Sequence, residues 1–231
     1  MTSMLLVAID GEQFAVVALI IVTLTYFFHK KGSLDYKGML LADFFGIIAF
    51  ALGGLSAFIA CMVTFLFAEV FTRFGRRNKA EKFEKRTTQN IIGNGLPAMI
   101  ALVLGQHPAF FGALSAALAD TASSEIGMLS GKKPRLITTL QKVERGTDGG
   151  ITLLGLGAAL GASLVMAVSY YYLRGNQVHL LAILLAGITG SLVDSLLGAV
   201  LERKGKLNNM QVNFIASSAG GLLVYALTSL T

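Results

Sequence analysis

Two carboxylates, Asp120 and Glu125, stand in Leu118-Ala119-Asp120-Thr121-Ala122-Ser123-Ser124-Glu125-Ile126-Gly127, near the end of an apolar run. A third, Asp194, lies in Gly190-Ser191-Leu192-Val193-Asp194-Ser195, late in another such run. Ionisable groups in membrane segments are costly and face a partner, an ion or an aqueous cavity. Oxygen ligands of this kind suit a hard cation, so the metal expected on Asp120, Glu125 and Asp194 is Mg²⁺ and not zinc. Helical geometry restricts how they act. Asp120 and Ser124 share a face, whereas Glu125 is rotated by roughly 140° from Asp120. Either the helix unwinds near Ser123-Ser124, or the carboxylates divide the work, one on metal and one orienting a basic residue. Asp43, under two turns into its own run, is read as an interfacial group paired with a loop Lys or Arg.

A second set of residues points to phosphate. Three apolar runs open with polar or glycine-rich stretches: Thr87-Thr88-Gln89-Asn90-Ile91-Ile92-Gly93-Asn94, Gly146-Thr147-Asp148-Gly149-Gly150-Ile151-Thr152, and Asn208-Asn209-Met210-Gln211-Val212-Asn213. Helix N-termini present free N–H groups and the positive end of the dipole, and glycines let backbone approach phosphate oxygens. Lys132, Lys133, Arg135 and Arg145 lie nearby in sequence and are expected to help cradle phosphates, with Ser124 and Ser191 beside the carboxylates. Plainer alternatives stand next to these. Thr147 or Asp148 would be an ordinary N-cap, the glycines a turn, and the pairs Asn90/Asn94 and Asn209/Asn213 interhelical hydrogen-bonding stripes. Gly157 and Gly161 read as a close helix-packing motif. A cation site, phosphate-binding backbone and a hydrophobic bundle together suit phosphoryl or nucleotidyl transfer onto a lipid phosphate or alcohol.

The elements that must hold these groups are membrane helices. Of 231 residues, 54% are hydrophobic and 14% charged, which places the chain as one all-α, polytopic integral membrane domain over 1–231. Cys61 is the only cysteine, so an internal disulfide and a cysteine metal site are excluded. Apolar stretches fall at about 13–29, 37–52, 54–73, 88–105, 108–128, 149–173, 177–201 and 210–230, giving eight candidate spans. The 39–68 stretch is divided at Gly53-Gly54, because as one helix it would run roughly 45 Å. All but one of the 19 Lys and Arg residues, Arg174, then fall in loops on one side. The positive-inside rule makes that side cytoplasmic, with both termini on the other side. The net charge of +6 is thereby explained by topology, without a nucleic-acid partner. The carboxylates and the three polar helix starts share this cytoplasmic level.

The order of motifs resembles the domain-of-unknown-function 92 family, also called the transmembrane protein 19 family. The resemblance runs from about Lys31-Gly32-Ser33-Leu34 to the C-terminus and includes Gln89 to Gly95, Ala119 to Ser130, Lys133-Pro134-Arg135-Leu136-Ile137-Thr138, Gly146 to Gly150, Gly190 to Ala199 and Asn209 to Asn213. Plant and cyanobacterial members of that family include phytyl-phosphate kinases. The resemblance therefore implies a CTP-dependent kinase that converts an isoprenyl monophosphate to the diphosphate. Thr121-Ala122 departs from relatives that carry tryptophan there, and Glu144-Arg145-Gly146 from a commoner proline-containing turn. Two other functions are consistent with the residues: a lipid cytidylyltransferase resembling CDP-archaeol synthase, and an ion or small-solute transporter. The transporter would need an aqueous path to the outer face, where the loops are short and acidic groups sparse.

Overall fold

The computed structural model describes residues 11–32, 34–77, 88–175, 177 and 179–229. These form α1 (Gly11–Lys31), α2 (Tyr36–Arg77), α3 (Thr88–Val103), α4 (His107–Gly127), α5 (Leu153–Arg174), α6 (Leu180–Val200) and α7 (Asn209–Thr228). Two short strands, β1 (Arg135–Leu136) and β2 (Gly150–Ile151), pair antiparallel between α4 and α5, and a 3₁₀ turn (Glu202–Lys204) follows α6. The 78–87 part of the basic loop lies outside the described residues.

The long α2 is folded on itself. Gly54 has φ 68° and ψ −166°, a conformation that glycine adopts without a Cβ penalty. A Cβ added at Gly46 would sit 3.5 Å from the Phe58 ring, although twelve residues of straight helix would separate the two by about 18 Å. The break expected at Gly53-Gly54 is therefore present, as a hairpin hinge. Phe28 near the end of α1 stacks edge-on against Phe65 of the second arm, centroids 4.8 Å apart.

Among the described residues, five segments are long and apolar enough to cross a membrane: Gly11–Lys31, Tyr36–Gly75, Leu153–Arg174, Leu180–Lys204 and Asn209–Thr228. α4 is not among them for a physical reason. It packs against α2, α3, α5, α6 and α7, so it is the axis of the bundle and is built of Ala, Gly and Ser where a lipid-facing helix would carry larger residues. Without a hydrophobic drive between helices in lipid, small residues at crossings let van der Waals contact and hydrogen bonds form. A Cβ at Gly112 would lie 2.9 Å from Gly220 O, and one at Gly187 would press on the hydroxyls of Ser115 and Ser163. Ser115 Oγ donates to Ile183 O at 3.0 Å across the α4–α6 contact. The Gly157/Gly161 pair does not serve this purpose. Nothing lies within 4 Å of either position's Cβ, and α5 meets α4 through Gly155, whose Cα is 3.3 Å from a Cβ built on Gly127.

One end of the bundle is tied by Arg174 Nη1 donating to Ser56 Oγ (3.3 Å) and by Tyr170 OH against His179 Nδ1 (2.8 Å). The tight turns at Gly54, Gly105 and Gly175, all with positive φ, lie between helices that meet there. The polar site occupies the other end.

Candidate functional site

The α4–α6 crossing sets the site. A Cβ on Gly190 would lie 3.0 Å from Ala116 Cα, so the two backbones nearly touch. Asp194 is four residues beyond Gly190 and Asp120 four beyond Ala116. One helical turn keeps each on the contacting face, and both helices run in the same direction. The two carboxyl groups therefore meet one turn inside the crossing, near enough to hydrogen-bond to each other. Asp194 Oδ2 is buried and receives no hydrogen bond from any protein N–H or O–H. Two facing carboxylates without a donor repel unless they share a proton or a cation.

Around the pair is a polar cavity of ≈ 480 Å³, into which Glu125, Asp148 and Glu202 also project. Asn90 and Asn94 enter from α3 and Asn209 and Asn213 from α7. Gly93 lets those two helices approach: its Cβ would fall 2.8 Å from Met210 O and 3.0 Å from Asn213 Cβ. The remaining wall is the 146–150 loop, a compact cap and not the start of a helix. Ile137 N donates to Gly149 O (2.9 Å) and Val143 N to Pro134 O (3.0 Å), and Gly146 and Gly149 have φ 81° and 77°. A Cβ on Gly149 would meet Ala199 N and Ser195 O at 2.6 Å each. The loop thus lies directly on α6, beside Asp194.

Several expectations change here. α4 is helical without interruption through Gly127, so the unwinding at Ser123-Ser124 does not occur and Glu125 leaves the helix on a different face from Asp120. Glu125 lies against α2, where a Cβ on Gly75 would be 2.7 Å from its Oε2. The N-cap of α5 is Thr152, whose hydroxyl accepts from Gly155 N at 3.0 Å, and neither Thr147 nor Asp148 fills that position. Asn208 and Gln211 form a reciprocal capping box on α7. Asp43 accepts from Thr25 Oγ1 at 2.8 and 2.9 Å, where a loop cation was expected. Ser191 is 2% exposed and packs inside α6 without lining the cavity, whereas Ser124 does line it.

The expected phosphate cradle of Lys132, Lys133, Arg135 and Arg145 does not form. None of the four lines the cavity. Arg135 Nη1 donates to Leu140 O (2.8 Å) and Arg145 Nη2 to Ser130 O (2.5 Å), which closes the cap's own turns. Lys133 Nζ is 2.5 Å from Glu144 Oε1, both side chains exposed, and this ammonium's hydrogen bond holds the Glu144 carboxyl below its usual range. An exposed pair of this kind contributes little. Lys133→Ala is expected to change turnover by less than about twofold, measured as kcat/KM beside wild type.

Among the described residues no lysine or arginine lines the cavity, and no three His, Cys, Asp or Glu side chains converge as a complete metal cage. Asp120 and Asp194 present oxygen donors of the kind Mg²⁺ takes, one or two protein carboxylates with water and substrate phosphates completing the shell. Sequence reading missed Glu202, Thr72, Thr121 and Ser123, all of which line the cavity. Glu202 had a signal: a carboxylate immediately after a membrane run that carries Asp194 on its last turns.

The chain is 40% identical over 215 residues to the uncharacterized membrane protein MJ0933 of Methanocaldococcus jannaschii, covering 89% of this chain and 90% of that one. It is 31% identical over 201 residues to the uncharacterized membrane protein sll0875 of Synechocystis sp., covering 77% and 76%. With Protein VTE6, chloroplastic, of Arabidopsis thaliana it shares 27% identity over 212 residues, 82% of this chain and 64% of that one. No solved structure matches it at a significant level. The model of the integral membrane protein DUF92 family matches residues 19–221, which include every side chain of the polar cavity, and the chain belongs to that family.

Proposed function

We propose that this protein is a CTP-dependent kinase that phosphorylates an isoprenyl, phytyl-like monophosphate to the diphosphate at the cytoplasmic end of an eight-pass bundle whose termini lie on the opposite side. The observation that carries the reading is the facing Asp120–Asp194 pair, in which Asp194 Oδ2 is buried without a protein donor, in a cavity bordered by the N-terminal parts of α3 and α7. A polyphosphate does not enter a cavity lined by five carboxylates unless cations accompany it. Asp120 and Asp194 would hold Mg²⁺, which neutralises phosphate charge and orients the donor for in-line transfer. Asn90, Asn94, Asn209 and Asn213 would position the nucleotide and acceptor phosphates. The 146–150 loop would close over them, offering backbone N–H groups. An oxygen of the acceptor phosphate then forms a bond to the γ-phosphorus as the bond to the β,γ-bridging oxygen breaks, and CDP leaves. The acceptor oxygen is already ionised, so no strong base is required, and positioning accounts for most of the rate. Protein VTE6, chloroplastic, as a relative, and the family's phytyl-phosphate kinases support the choice of acceptor.

The test is purified protein with prenyl monophosphates, Mg²⁺ and either CTP or ATP labelled in the γ-phosphate. Label is expected in the prenyl diphosphate, with CTP preferred. Label released as pyrophosphate would make the enzyme a cytidylyltransferase, and no transfer to any prenyl acceptor would remove the kinase reading.

A further inference from the structure

A second cavity of ≈ 130 Å³ lies between α1, both arms of α2, α3 and α4, and three residues, Asn90, Asn94 and Thr121, border both it and the polar cavity. Away from that junction its walls are apolar, with Phe45, Cys61, Met99 and Leu114 among them. Among the described residues the one charged side chain on its wall, Asp43, is engaged by the Thr25 hydroxyl of α1. At the mouth, Asn94 Oδ1 is buried and unpartnered. From Thr121 to Leu114 is seven residues, about 10 Å by helical rise, and from Asn94 to Met99 about 7 Å. An apolar space of this order holds a benzene-sized group.

From this shared border we infer that the second cavity is the channel for the first isoprene units of the lipid acceptor: the phosphate stays at Asn90, Asn94 and Thr121 while the branched chain enters between α2, α3 and α4. This rests on the kinase reading above and adds the location of the tail. Ala117, one turn from Thr121 on the same face of α4 and 4% exposed, forms the channel's inner wall. Ala42 lines it from the first arm of α2. A large side chain at either place obstructs the tail without touching the carboxylate pair.

The experiment uses geranyl monophosphate with a diazirine at the end remote from the phosphate, photolysed on the full-length protein in detergent and mapped by mass spectrometry. Adducts are expected on peptides containing Cys61, Met99 or Leu114, reduced at least tenfold in Ala117→Phe and in Ala42→Phe. Both variants are checked for an unchanged melting midpoint, so one that fails to fold is replaced by the other. In turnover, the same variants are expected to raise KM for geranyl monophosphate about tenfold or more with kcat nearly unchanged. Adducts confined to other surfaces, or labelling unaltered in both variants, overturn the channel even when wild type transfers phosphate. Channel adducts in a protein that transfers no phosphate from CTP support the channel and overturn the kinase instead. A straight-chain acyl phosphate bearing the same diazirine and labelling the channel equally well would overturn its assignment to isoprenoids.

Discussion

Asp194→Asn is expected to lower turnover by about a thousandfold while leaving the protein as stable as wild type, or more stable, in the absence of Mg²⁺. The two effects have one cause. Asp194 faces the Asp120 carboxyl, and its Oδ2 has no protein donor. A carboxamide has nearly the same shape and offers two N–H donors, one of which can reach the Asp120 carboxylate and relieve the repulsion. The substitution also removes one of the pair's two negative charges and one of its four oxygens from the set available to the cation. Metal-supplied stabilisation of transferring phosphate amounts to several kcal/mol, and about 4 kcal/mol corresponds to a factor near a thousand in rate. Thermal melts with MgCTP separate this from a folding defect. A ligand present at a hundred times its Kd raises stability by about 2.7 kcal/mol. Wild type should show that gain and Asp194→Asn should show little of it. Wild-type turnover in the variant, or the same MgCTP-dependent shift in both proteins, would take Asp194 out of the metal site.

Much of this arrangement is legible in the sequence, and what is not has identifiable causes. Charge parity alone places Asp120 and Asp194 at one depth, but their facing depends on the crossing that only the fold reveals: each lies four residues beyond a small residue, Ala116 or Gly190, at which two helices touch. The hinge in α2 was readable because no bilayer accommodates a straight helix of that length and Gly54 tolerates the required positive φ. The basic residues misled because nearness in sequence to a glycine loop says nothing about where a long side chain goes. In a loop that folds into a cap, Arg135 and Arg145 satisfy the loop's own carbonyls at Leu140 and Ser130, leaving carboxylates and amides to line the cavity. The same cause hid Glu202, which looks like one more loop charge beside Arg203 and Lys204 until the 3₁₀ turn carries it back under α6. Gly157 and Gly161 misled in another way. A small-residue spacing marks a surface that can be approached closely, and in α5 the approach is made two residues earlier and on another face, by Gly155 on Gly127.

The 146–150 loop permits a sharper test, because two of its glycines share a backbone conformation but not an environment. Gly149→Ala and Gly146→Ala each place a Cβ on a residue with positive φ, 77° and 81°, and each should cost about 1–2 kcal/mol for that reason alone. At Gly146 the new methyl would meet only Met128 Cε, at 3.8 Å, which is ordinary contact. At Gly149 it would meet Ala199 N and Ser195 O, both at 2.6 Å. These are backbone atoms of α6 that cannot turn aside, so the loop must lift from the helix. Asp148 moves with it, away from Asp194, and the cavity wall opens. A displacement near 1 Å at a positioning element can cost about a hundredfold in rate. The expected result is therefore a loss of melting temperature in both variants, larger in Gly149→Ala, with kcat/KM down about a hundredfold in Gly149→Ala and within about threefold of wild type in Gly146→Ala. Equal loss of activity in both would mean that strain, and not the seat of the loop on α6, governs the site. Full activity in Gly149→Ala would mean that the loop takes no part in holding the phosphates.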